Sequence, residues 1–310
     1  MRRVEKQAKE ILVLFLVAAI LAPGLLVAQY PPYGTPPPPS PYGPPPPLLP
    51  AAELDRLVAP VALYPDPLLT QVLTASTFYD QIPQAATWAD QHSYLHGDQL
   101  AAAISADNLP WDPSVIALLP FPSVLGMMAR DMAWTTQLGN AFLSQPGAVM
   151  DAVQRLRQQA LSYGYLVNGP QVQVVRSGPY IEILPVSPGV ICVPVYNPAV
   201  VFVPRRPGLH VTISFGAAVL VGASRPWGWA EPHFVWPSRT IIIDNHPWQR
   251  TWANRREYVH PYRIAPLPAA RRGPPVERHE LRGRAPAEKG HADRGQNGRD
   301  RGHEDEDRRR

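Results

Sequence analysis

Five tryptophans fall between residues 227 and 252: Trp227, Trp229, Trp236, Trp248 and Trp252. His233, His246 and His260 are interspersed with and follow them, and Arg250, Asn254 and Arg255 flank the last one. Flat rings stack on sugar faces, while guanidinium and amide groups hold hydroxyls. The segment therefore has the residue types of a glycan-binding surface. Its candidate ligand-binding residues are Trp227, Trp229, Trp248, Trp252 and Arg250. The same rings would serve equally to cover the open end of a small barrel. The three histidines lack the ligand spacing of a zinc site, so no metal or cofactor is expected.

The remaining polar candidates are Asp66, Asp90, Asp112, Asp131 and His92. Asp66 and Asp112 each precede a proline, which is how a helix start is written: a capping carboxylate, then proline at the first helical position. Asp90 and Asp131 fit polar helix faces. The chain has no H-E-x-x-H and no G-x-S-x-G, and no paired carboxylates in a distinctive context. The expectation is a protein that is not an enzyme.

These residues need elements to position them. Residues 53–166 are punctuated by helix starts and carry apolar stripes: Leu68, Leu69, Val72, Leu73 and Ser76; Val124, Leu125, Met128 and Met132; Val149, Val153, Leu156 and Ala160. Gly164 is placed to stop the longest helix. The pattern predicts about seven short helices in a compact array. Residues 171–262 change character. "QVQVVR" and "PYIEIL" alternate, and "VICVPVY", "AVVFVP", "HVTISFGAAVLVG" and "RTIIIDN" follow, with prolines at 179, 185, 188, 194, 198 and 204. Proline cannot donate to a sheet ladder, so these are short strands with blocked ends. The expected fold is α+β: the helical array, then a small irregular β-barrel or meander packed on it.

At this point the chain resembles the bacterial domain-of-unknown-function 3300 family. The resemblance rests on "LVAPVALYPDPLLTQVLTAST" (57–77), "DNLPWDPSVIALLPFPSVLGMM" (107–128) and "YIEILPVSPGVICVPVYNP" (180–198). It implies an exported, envelope-associated protein and supplies no catalytic residues. Many relatives end in Asn- and His-rich repeats, whereas this chain ends in an Arg-rich tail.

Residues 1–28 hold Arg2, Arg3, Lys6 and Lys9, then an apolar stretch, then Ala28. This is the layout of a secretory signal. The alternative is an uncleaved anchor, with residues 11–28 held in the inner membrane. Residues 29–50 follow, 12 of them proline, and make a semi-rigid polyproline II segment of roughly 70 Å if straight, which would hold the body off a membrane or wall, serve as a ligand for an aromatic-lined groove, or act as a passive linker. From 266 to 310 the chain mixes both charges with almost no apolar residues, which predicts a disordered tail. Residues 29–270 carry 13 basic and 14 acidic side chains, so the body lacks the basic face of a nucleic-acid binder. Cys192 is the single cysteine, which excludes an internal disulfide; a buried, inert thiol is expected.

Together these features describe an exported periplasmic or outer-membrane-associated protein with a non-enzymatic structural or tethering role. Its expected partners are envelope glycan or another envelope protein, with membrane contact that is peripheral or through the N-terminus. The alternative is a glycan-binding module for peptidoglycan or lipopolysaccharide. A hydrolase with an unrecognised site is the third reading.

Overall fold

The computed structural model describes residues 44–205, 213–221, 229 and 232–261. The signal segment, most of the proline-rich lead, Trp227 and the tail lie outside the described residues.

Helix α1 (Ala51–Val58) leads into α2 (Asp66–Ser76), which is buried along its whole length apart from Pro67. The apolar stripe read from the sequence is therefore only one side of a central helix. The other side is polar and still dry, because its hydroxyls are satisfied locally. Thr70 donates to the Asp66 carbonyl (2.8 Å), Thr74 to that of Thr70 (2.9 Å) and Ser76 to that of Leu73 (2.7 Å). Such back-bonding lets a helix bury Thr and Ser without an external partner.

Around α2 lie α3 (Ile82–Gln91), α4 (Gly97–Asp107), α5 (Pro113–Ile116), α6 (Pro122–Arg130), α7 (Met132–Ser144) and α8 (Pro146–Ser162). The stripe from Val124 to Met132 predicted one helix; the chain makes two. Asp131 leaves helical geometry (φ −120°, ψ 74°) and its carboxylate accepts the Trp134 N–H at 2.9 Å, capping α7. Gly164 ends α8 as expected, at φ +74°.

The strands form three small antiparallel sheets. β1 (Val172–Ser177) and β2 (Tyr180–Pro185) make a hairpin turned at Gly178 (φ +62°). β3 (Val190–Val195) pairs with β4 (Ser214–Leu220), and their register slips between Cys192 and Pro194. That slip is how the strand accommodates an internal proline. β5 (His233–Val235), β6 (Thr240–Ile243) and β7 (His246–Pro247) form a short meander. The α+β class holds, and the described residues form several small antiparallel sheets, with no closed barrel among them. "AVVFVP" is not a strand. Asn197 accepts the Ala199 N–H (3.0 Å) and Pro198 begins a one-turn helix, α9 (Pro198–Val201).

Helices and strands share one core, in which Leu69, Leu125 and Val149 join Ile191, Phe234 and Ile241. A second cluster, with Ala160, Ile183 and Val201, lies under the β1–β2 hairpin. Cys192 is buried within β3, and burial raises its thiol. No helix among the described residues is long and apolar enough to cross a membrane.

Candidate functional site

Two places take charged side chains out of water. The first joins α2 to α8. Asp66 was expected to cap α2, but Pro65 is the cap and Asp66 is the first helical residue. Its carboxylate turns inward to Arg157, which is fully buried. Arg157 Nη1 donates to Asp66 Oδ1 (2.6 Å) and to the Ile181 carbonyl (2.8 Å); Nε donates to Ala62 (2.9 Å) and Nη2 to Tyr64 (3.0 Å). Asp66 also accepts the Ile183 N–H (3.2 Å) and, on Oδ2, the Trp236 indole (3.1 Å). Burial raises Asp66, opposed by the charge and hydrogen bond of Arg157. Both groups are used up by their partners, so this node ties elements together and has no group left for a ligand. One signal for it was legible: Arg157 lies four residues after Val153, on the buried stripe of α8.

The second place is a cleft of about 430 Å³ where residues 258–260 pass the start of α5. Asp112 caps α5 as the sequence predicted, with Oδ1 accepting the Ser114 N–H (2.9 Å) and hydroxyl (2.6 Å). Its own N–H donates to Gln81 Oε1 at 2.7 Å, which fixes the loop. Burial pushes Asp112 up to about 6, against the Ser114 bonds and the charge of Arg250. His260 Nε2 lies 3.9 Å from Asp112 Oδ1. Burial, helped by Arg250, pushes His260 down to about 4. When Asp112 is ionised His260 is therefore neutral, and the contact is no ion pair at neutral pH. The His260 ring meets Tyr258 edge-on, with centroids 5.7 Å apart. Burial raises Tyr258. Phe78, Trp111 and Tyr258 add aromatic surface to the cleft. The Ser114 hydroxyl is committed to Asp112, so the carboxylate, imidazole and hydroxyl do not line up as a relay.

Of the candidate ligand-binding residues, Arg250 lies beside this cleft, over the Phe78 ring that forms part of its wall. Its guanidinium lies 3.5 Å from the Phe78 ring centre and donates to the Thr77 carbonyl (2.8 Å) and hydroxyl (2.9 Å). Trp229 and Trp248 do not turn their rings to solvent, because packing claims them. Trp229 is 6% exposed and its indole donates to the Ala117 carbonyl at 2.7 Å; Trp248 is 8% exposed and stacks on Phe142 at 5.0 Å. Trp252 is half-buried, with the Arg255 guanidinium 3.6 Å from its ring centre. Trp227 lies outside the described residues. Sequence reasoning missed Tyr258 and His260 as neighbours of Asp112, since nothing local links position 112 to 258 or 260.

A family model described as a protein of unknown function (DUF3300) matches residues 50–260. The uncharacterized protein YacH of Escherichia coli (strain K12) is 38% identical, over 49% of this chain and 29% of its own length. The chain thus spans under a third of that curated relative. No solved structure matches.

Proposed function

This chain belongs to the DUF3300 family, and we propose that it is a non-enzymatic, exported cell-envelope protein whose proline-rich lead spaces the folded body from the envelope component that the lead contacts. The observation that carries this reading is the junction of lead and body. Pro50 has φ −67° and ψ 159°, polyproline II geometry, and its carbonyl accepts the N–H groups of Glu53 (3.0 Å) and Leu54 (3.1 Å). Leu49 packs against the core, and Pro46 and Pro47 border a cavity whose other wall is α7. The last two residues of the lead are thus tied to the body, which supports a stand-off over a slack linker.

To test it, the full chain is expressed with a C-terminal tag and a photo-cross-linking residue in place of Tyr42. Cells are fractionated and the mature N-terminus is sequenced. The expected product begins at Gln29, sediments with the envelope and cross-links to an envelope component. A cytoplasmic body, or an exported chain that cross-links to nothing, overturns the reading.

The competing reading is a glycan-binding module on the tryptophan segment. Its support is the half-buried ring of Trp252 beside Arg255. A pull-down on purified peptidoglycan and lipopolysaccharide, with wild type and Trp252→Ala of equal melting temperature, decides that reading: equal capture, or none, removes it.

A further inference from the structure

Beside the sheet of β3 and β4 lies a cavity of about 310 Å³, away from both places described above. Its walls are the turn between α3 and α4, the link from α5 into α6, and β4 from Gly216 to Leu220. Leu95, Leu100, Leu119, Phe121, Val193 and Val219 make the lining mostly apolar, and no Asp, Glu, Lys or Arg belongs to it. On β4, Gly216, Ala217 and Ala218 are exposed, and Leu220 is 64% exposed. An uncharged strand that keeps a leucine in water beside an apolar hollow offers surface for something to cover.

One polar group of the lining is held in a defined state. His92 Nδ1 lies 2.8 Å from the Trp88 carbonyl oxygen. A carbonyl only accepts, so Nδ1 carries the proton and the neutral ring presents Nε2 as an acceptor. Trp88 and Tyr94 stack with the ring, at centroid distances of 3.9 and 6.5 Å. Trp88 is itself fixed, because its indole donates to Asp107 Oδ2 at 2.7 Å. The ring edge is what remains: Nε2 has no hydrogen-bond partner among the described residues and keeps accessible surface.

A mostly apolar hollow with a few placed polar groups is the general form of a small-molecule site. Size and charge narrow its ligand. At roughly 30 Å³ per water-sized group, the cavity takes about ten non-hydrogen atoms. With no cation in the lining, a carboxylate or phosphate would be stripped of water without a partner, and with no anion the same holds for an ammonium. An acceptor at His92 calls for a donor. We infer that this cavity binds a medium-length aliphatic chain with a neutral hydroxyl head, the hydroxyl donating to His92 Nε2 and the chain lying against Leu100, Leu119 and β4. The inference stands on the cavity alone and needs neither export nor the spacing role proposed above.

The test is carbon-13 NMR of the full chain, following the Leu220 methyl signals, assigned by their loss in Leu220→Ala. The probes are 1-octanol, octanoate and octyltrimethylammonium, the two ions below their micelle-forming concentrations. The expected result is a saturable shift with 1-octanol, and binding of either ion that is weaker by about tenfold or more. His92→Phe keeps a ring to stack on Trp88 and removes Nε2, and is expected to weaken 1-octanol binding by about fivefold, the loss of one ordinary hydrogen bond. If that variant melts lower than wild type, Ala218→Leu, which fills space at the strand wall, replaces it and is expected to weaken binding by at least as much. No shift with 1-octanol, an ion that binds as well, or undiminished binding by the variant overturns the inference. So does a doubled mass in analytical ultracentrifugation that Leu220→Ala abolishes, which would mean that a second copy of the chain covers β4.

Discussion

Gln71 sits in the middle of α2 with no exposed surface, and neither its amide oxygen nor its amide nitrogen has a hydrogen-bond partner among the described residues. Thr70 and Thr74 beside it solve the same problem by bonding to their own helix, which the longer Gln side chain does not do. Gln71→Leu, close in volume and without polar atoms, is expected to raise stability by about 1–3 kcal/mol, read as a higher urea midpoint with an unchanged slope. The Arg157–Asp66 pair behaves in the opposite way. Arg157→Met removes the charge that compensates Asp66 and strands three backbone carbonyls, at an expected cost of about 3–5 kcal/mol. The Asp112 cleft gives a pH prediction. Asp112 stands higher in the folded chain than its ordinary value, so the stability it contributes is full at low pH and is lost as pH rises through about 6. His260 stands lower than its ordinary value, so its contribution is full above that value and is lost as pH falls through about 4. Between these values the two slopes oppose, and wild-type stability should be nearly level with respect to this pair. His260→Gln should expose a fall in stability with rising pH over that window, and Asp112→Asn a rise. Urea unfolding at stepped pH checks both; two variants that track wild type would contradict the assignment.

At the scale of elements, α2 and α7 approach closely at Gly139. A Cβ on Gly139 would lie 2.0 Å from the Ser76 carbonyl oxygen, a backbone atom that cannot swing aside. Gly139→Ala is expected to cost at least about 1–3 kcal/mol. Gly126→Ala, where the nearest atom is the mobile end of Arg130 at 3.3 Å, should cost little. Comparing the two melting temperatures checks that it is contact, not helix propensity, that decides. What the sequence made legible follows the same line between local and distant causes. Asp112–Pro113, Pro122 and Gly164 write their helix ends in adjacent residues, and the structure has them there. The alternation of 171–176 and 179–184 yields the β1–β2 hairpin within a residue at each end. Asn197–Pro198 carries the same start signal as Asp112–Pro113, but the β-branched run behind it read as a strand. The local cap prevailed over the composition, and α9 results. Trp229 and Trp248 look like binding residues in sequence because tryptophan has both an apolar body and a polar tip. Which end is used depends on partners such as Ala117 and Phe142, more than 100 residues away.

For the whole molecule, the shared core means that the helical and β-rich segments do not have separate interiors. A fragment of residues 44–261 is expected to unfold in one step, with fluorescence and far-ultraviolet circular dichroism giving the same urea midpoint. Two midpoints would show that residues 53–166 and 171–262 are independent bodies. The Asp66 node bears on the order in which a growing chain can reach its final form. The residues that satisfy this carboxylate follow it by 91 positions for Arg157, 117 for Ile183 and 170 for Trp236. Synthesis runs from the N-terminus, so α2 exists long before the chain contains anything to neutralise its first residue. While the ribosome is still short of position 157, closing the helices around α2 would trap an uncompensated charge, and until position 236 has emerged the last donor is missing. A nascent chain halted at residue 166 should therefore remain loose and open to proteases, and the body should set only when its final strands are free. A chain that stays uncommitted for that long is still threadable, and the lock that ends this state is written near its last third.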